Sequence, residues 1–263
     1  MADRFKMSVA RSRSASTLAR SAGGVGEIGA YTRVPSIDAI RAIAVLAMIA
    51  YHFCFDLRYF GVINADFEHD RFWLGARTVI LSSFLLLVGV SLVLADATPA
   101  SRARFWRHAV MIAACAVLVS AASYALFPRT FIWFGVLHAI ALTLVLARPL
   151  VRYPRVALVA GLIVIGAGLA FSHPAFDQFA LGWIGFMTAK PYTEDYVPLF
   201  PWAGAVFCGV AVGHALVRNR FAVLASFAQP PHWLAWLGRH TLAVYMLHQP
   251  ILLGVLWALL VRR

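Results

Sequence analysis

The chain has 263 residues, of which 62% are hydrophobic and only 13% charged, with a mean hydropathy of +0.78. Soluble domains carry about twice that share of charge, so the composition excludes an ordinary soluble domain and indicates a polytopic membrane protein. The net charge of +12 sits in basic clusters between apolar runs with little aromatic interleaving, which is the pattern of topology-setting loops and not of a nucleic-acid surface.

Residues 1 to 32 are rich in Arg, Ser, Ala and Gly without a helical or strand period. They read as a disordered, basic, cytoplasmic tail. No apolar cleavable core precedes Ile37, so a secretory signal is not expected. The remainder, 33 to 263, reads as one transmembrane domain. Runs of about 18 or more apolar residues predict seven spans, at 37–55, 74–95, 107–127, 130–147, 155–172, 198–217 and 239–260. The fold class expected is therefore an all-α membrane helix bundle. Only Pro128 and Arg129 separate the third span from the fourth, which predicts a tight antiparallel hairpin.

Lys and Arg in alternate loops set the orientation. Arg4, Lys6, Arg11, Arg13, Arg20 and Arg33 of the tail, with Arg102, Arg104, Arg107, Arg148, Arg152, Arg155, Arg218 and Arg220, outnumber Arg58, Arg71, Arg129, Lys190, Arg262 and Arg263. The N-terminus is thus expected in the cytoplasm and the C-terminus outside.

The first span, within SIDAIRAIAVLAMIAYHFCFDLRYFG (36–61), has Asp38 and Arg41 at its entry and His52 and Asp56 at its exit. Ionisable groups are costly near hydrocarbon and mark functional sites by default. His52 and Asp56 are four apart and share a helix face if the helix runs that far. A carboxylate on one ring nitrogen would fix the tautomer and leave the other as a general base; an interfacial histidine among headgroups has the same spacing. Asp38 and Arg41 either neutralise each other or leave the guanidinium to hold a phosphate.

In the last span, WLGRHTLAVYMLHQP (236–250), Arg239 and His240 stand at the cytoplasmic edge. His248 and Gln249 lie two to three turns deeper, ahead of a bend expected at Pro250. His138, in the fourth span, occupies a similar depth. These groups face the bundle interior as ligand-binding residues or as interhelical hydrogen bonds. Gly209 and Gly213 form a GxxxG pair, and with Gly89 and Ser91 they predict close helix packing. Cys54, Cys115 and Cys208 lie in or beside apolar runs without CxxC spacing and read as small buried side chains, so neither a metal site nor a disulfide framework is expected.

Five stretches carry a resemblance when taken in order: SIDAIRAIAVLAMIAYHFCFDLRYFG, LLLVGVSL, GVLHAIAL, PLFPWAGAVFCGVAVG and WLGRHTLAVYMLHQP. Together they resemble the bacterial membrane proteins grouped with the catalytic domain of heparan-α-glucosaminide N-acetyltransferase, over about residues 33 to 253. The first stretch also resembles the opening of the acyltransferase-3 family, in which an Asp, an Arg three later and a His fourteen later begin the first helix, as Asp38, Arg41 and His52 do here. Ala42 and Thr241 depart from the Gly and Ser usual in these families.

The resemblance implies an acyl-CoA-dependent transmembrane acetyltransferase of a bacterial inner membrane. Acetyl-CoA would be the donor, and a hydroxyl or amine of an extracytoplasmic sugar or glycan the acceptor. The acyltransferase-3 likeness makes His52, oriented by Asp56, the first catalytic candidate. The other family carries its histidine in the loop after the first helix, which makes His69 the second. Arg41, Arg239 and His240 would receive the CoA phosphates, and His138, His248 and Gln249 would line the acyl arm's path. Membrane lipid is an expected partner, and a homo-oligomer is left open. A small-solute transporter would also use midplane His and Gln residues, but should show paired broken helices in two related halves; a non-catalytic partner protein would not require polar groups at both ends of the first helix.

Overall fold

Proline at the first helical position and an acid in the first turn favour helix initiation, and the first long helix, α1 (Pro35–Tyr59), begins with Pro35 and Asp38 in those places. It ends where Gly61 takes a φ of +73°, with the Gly61 and Val62 amides donating to the Arg58 and Leu57 carbonyls. That paired closure is a Schellman motif, whose left-handed position suits glycine. Asp56 is thereby fixed one turn before the helix end.

The computed structural model describes residues 34–96 and 101–261, all within one unit, Val34–Arg263. The predicted tail lies outside the described residues. The other α-helices of two turns or more are α2 (Arg71–Asp96), α3 (Ser101–Leu126), α4 (Val136–Ala147), α5 (Pro154–Ala170), α6 (Leu199–Arg218), α7 (His232–Arg239) and α8 (Thr241–Leu260). Among the described residues the regular structure is helical, apart from an isolated bridge between Phe134 and Tyr196.

Five helices, α1, α2, α3, α6 and α8, are long and apolar enough to cross a membrane. This supports a membrane bundle, though two of the seven expected spans fall short in length. α4 has 12 residues, a rise of about 18 Å against a hydrocarbon core of about 30 Å. α5 has 17 residues.

The apolar run 130–147 overestimates α4 because its first part is not helical. Residues 127–135 instead form a loop whose backbone pairs with a distant one: the Glu194 amide donates to the Thr130 carbonyl and Val197 to Phe134. The Asp195 carboxylate accepts from the Val136 amide at 2.8 Å and opens α4 there. The two-residue hairpin expected at Pro128 and Arg129 is accordingly a longer connection. The last span likewise begins at Thr241, because the chain breaks at His240 between α7 and α8.

α6 packs between α2 and α5. A Cβ on Gly209 would collide with the Leu86 carbonyl of α2, one on Gly213 would press on Val93, and one on Gly204 would reach Gly161 and Ile165 of α5. Gly89 meets the α6 backbone at Val206 in return. The expected glycine packing is therefore the α2–α6 contact, where small residues let backbones approach closely. α7 docks on the start of α1, with Gly238 against the Asp38 carbonyl and Leu234 over fully buried Ala39 and Ala42. Ala42, the departure from the usual glycine, is accommodated there.

Candidate functional site

Polar groups gather at both ends of α1. At the Asp38 end, Arg41 donates from Nη1 to Asp38 Oδ1 at 2.8 Å and to the Gly238 carbonyl at 3.2 Å, and from Nη2 to Ser91 Oγ at 2.8 Å. Ser91 passes its own hydrogen to the Leu87 carbonyl. Arg41 thus ties α1 to α2 and α7, and most of its fork is already committed. Ser91, expected only to pack, is one of its anchors. Arg239 and His240 are exposed beside this node. His240 Nδ1 donates to the Trp236 carbonyl at 2.8 Å, and its ring lies 4.4 Å from the Trp236 ring.

At the opposite end, α1 crosses α8. The His52 and His248 rings are 5.0 Å apart, and Gln249 Nε2 donates to Asp56 Oδ1 at 2.7 Å. Asp56 is 1% exposed and His248 8%. Four of the expected site residues, His52, Asp56, His248 and Gln249, therefore meet in one cluster. The pairing differs from the expected one, since the Asp56 carboxylate engages Gln249 and the neighbour of His52 is His248. His248 Nδ1 lies 2.6 Å from the Tyr245 carbonyl. A carbonyl can only accept, so Nδ1 carries a hydrogen, and in the neutral imidazole Nε2 carries the lone pair.

The carboxylate–imidazole geometry sought at His52 and Asp56 occurs instead in the loop between α1 and α2. His69 Nδ1 is 3.0 Å from Asp66 Oδ2. Asp66 Oδ1 also accepts the Glu68 amide at 2.9 Å and the His69 amide at 3.0 Å, closing a tight turn. Those amides, that of Glu68 foremost, and the His69 ring hold the Asp66 carboxyl below its ordinary range. The carboxylate is thus kept ionised and fixes the imidazole with Nε2 outward. The His69 side chain is 82% exposed.

The turn that carries the pair is anchored by Phe67, 2% exposed. Its ring lies 4.2 Å from Trp73, 5.3 Å from Phe55 and 5.4 Å from Tyr51. Asp66 and Phe67 escape a reading based on helical faces, although Asp66 stands three residues before His69.

His138 belongs to neither cluster. Its Nδ1 accepts the Gly135 amide and its Nε2 donates to Ser120 Oγ, 3.2 Å each, and the Ser120 hydroxyl donates to the Ile132 carbonyl. Of its two readings, the interhelical hydrogen bond, here between α3 and α4, is the observed one. Among the described residues no group of three or more His, Cys, Asp or Glu side chains could hold a metal ion.

No curated protein and no solved structure matches the chain. A sequence model of the family described as heparan-alpha-glucosaminide N-acetyltransferase, catalytic, matches residues 33–250. The match spans both polar ends of α1, the His69 loop, the glycine-packed helices and α8 as far as Pro250. Since it covers most of the sequence, the chain belongs to the heparan-α-glucosaminide N-acetyltransferase catalytic-domain family.

Proposed function

We propose that this protein transfers an acetyl group from cytoplasmic acetyl-CoA, across a bacterial inner membrane, to the amino group of a glucosamine-type sugar, with His69 as the general base. The observation that carries this reading is the His69–Asp66 pair at the end of α1 opposite the basic Arg41–Arg239 end. Family membership supplies the reaction class, and His69 lies in the loop after α1, where the resemblance noted in the sequence would place the family's histidine.

Arg239 and His240, both exposed, are the side chains to receive the CoA phosphates, because Arg239 has a charged fork suited to oxygen pairs. Arg41 acts mainly by holding α1, α2 and α7 together at that mouth. The donor supplies a thioester whose acyl carbon the amine attacks.

Asp66 holds His69 with its bare Nε2 towards the acceptor. His69 takes a proton from the amine as the new C–N bond forms. The C–S bond breaks and the thiolate leaves, to be protonated as free CoA. A fixed tautomer is what this step requires of the residue. His52 lies against His248 at the α1–α8 crossing.

The test is acetylation of D-glucosamine by the purified protein supplied with acetyl-CoA. Stoichiometric CoA and N-acetylglucosamine are the expected products. The buried polar cluster between α1 and α8 would also suit a small-solute transporter. Solute flux in proteoliposomes without acetyl transfer would establish that reading instead.

A further inference from the structure

The α1–α8 crossing holds three buried polar atoms to which no described residue bonds: Asp56 Oδ2, Gln249 Oε1 and His248 Nε2. Hydrogen-bond polarity gives them one character. Gln249 uses its amide nitrogen on Asp56, so its oxygen remains an acceptor. His248 uses its Nδ1 hydrogen on the Tyr245 carbonyl, so in the neutral imidazole its Nε2 is an acceptor. The second oxygen of the Asp56 carboxylate is an acceptor as well. All three atoms require a donor, and among the described residues no Lys or Arg forms an ion pair with Asp56.

A buried carboxylate satisfied by a single neutral amide is strongly unfavourable, and each buried acceptor left without a donor adds to the penalty. A ligand that brings several N–H donors and a positive charge relieves both. A primary ammonium does so with its three hydrogens on one atom. A hydroxyl supplies one hydrogen and no charge.

We propose that Asp56, held in place by Gln249, forms with His248 an ammonium-binding site that makes the enzyme select amino sugars over their hydroxyl counterparts. This rests on the acetyltransferase reading for the ligand's source, while the chemistry of the site stands on its own atoms. Asp56 and Gln249 lie at the same end of α1 as the His69 loop, so a sugar bound there by its amine is held beside the base. Asp56 acts as a specificity-determining group: the bound ammonium gives one proton to solvent water before attack, and His69 takes the second from the resulting amine as the C–N bond forms.

The experiment uses the full chain in detergent micelles, with thermal stabilisation by D-glucosamine, D-glucose and acetyl-CoA measured separately at neutral pH. Glucosamine is expected to raise the unfolding temperature while glucose, which has a hydroxyl in place of the amine, does not. Asp56→Asn keeps the acceptor for Gln249 but removes the charge, so glucosamine should bind about tenfold or more weakly while the response to acetyl-CoA is unchanged. In turnover the same variant should raise KM for glucosamine with little loss of kcat.

Equal stabilisation of the wild-type protein by the two sugars, or undiminished glucosamine binding in Asp56→Asn, would overturn the proposal. The sugar comparison needs no variant and decides the question even if Asp56→Asn fails to fold. Glucosamine binding without acetyl-CoA turnover would overturn the transferase reading and leave the ammonium site standing; turnover with no preference between the sugars would do the reverse.

Discussion

Replacing His69 by alanine is expected to lower kcat by about a hundredfold to ten-thousandfold, the range that a positioned general base contributes. KM for both substrates should change little, and unfolding should be unaffected because the side chain is 82% exposed and, among the described residues, is bonded to its own turn. Asp66→Asn should fall between wild type and His69→Ala, since the imidazole remains but its tautomer is no longer imposed. His52→Ala should act differently. His52 faces His248 within the bundle, so its loss should weaken acceptor binding more than the chemical step. Steady-state kinetics on the three variants separate the two histidines, and a kcat collapse in His52→Ala with His69→Ala near wild type would reverse their roles.

The second large effect lies at the other end of α1 and is structural. Arg41→Gln removes the cation from a carboxylate whose side chain is only 12% exposed, and breaking a buried pair by deleting one partner costs about 3–5 kcal/mol. It also releases Ser91 and the Gly238 carbonyl, which hold α2 and α7 to α1. A marked fall in unfolding temperature is expected, whether or not acetyl-CoA is present. Arg239→Gln, at an exposed position, should leave the unfolding temperature of the free protein unchanged and reduce its stabilisation by acetyl-CoA. The opposite pattern, a stable Arg41→Gln with lost acetyl-CoA binding, would return Arg41 to the phosphate site.

The first span illustrates how far the sequence alone reaches. Its length, its charged ends and the shared face of His52 and Asp56 are local properties, and α1 has all of them. What those groups bond to is not local. Asp56 is claimed by Gln249, 193 residues away, because α8 crosses α1 at that depth, and no helical periodicity encodes the crossing. The expected small-residue contact at Gly209 and Gly213 was legible because a missing side chain signals close approach whatever the partner.

The loop preceding α4 misleads for the converse reason. Phe131, Ile132, Trp133 and Phe134 are as apolar as a span, yet their backbone is held by Ser120, Ser123 and the 193–197 segment. In the His69 turn, Asp66 and His69 are three apart, but facing each other depends on a turn built from the Glu68 and His69 amides. Only the assembled loop reveals it.

In the proposed reaction donor and acceptor reach the protein from opposite faces of the membrane, the donor at the Arg41 end and the acceptor at the His69 end. Proteoliposomes loaded with acetyl-CoA and bathed in D-glucosamine, each confined to its own side, test it directly. N-acetylglucosamine is expected in the bath and free CoA in the lumen, from those molecules inserted with the Arg41 end inward. Product formed only when both substrates share a compartment would contradict it.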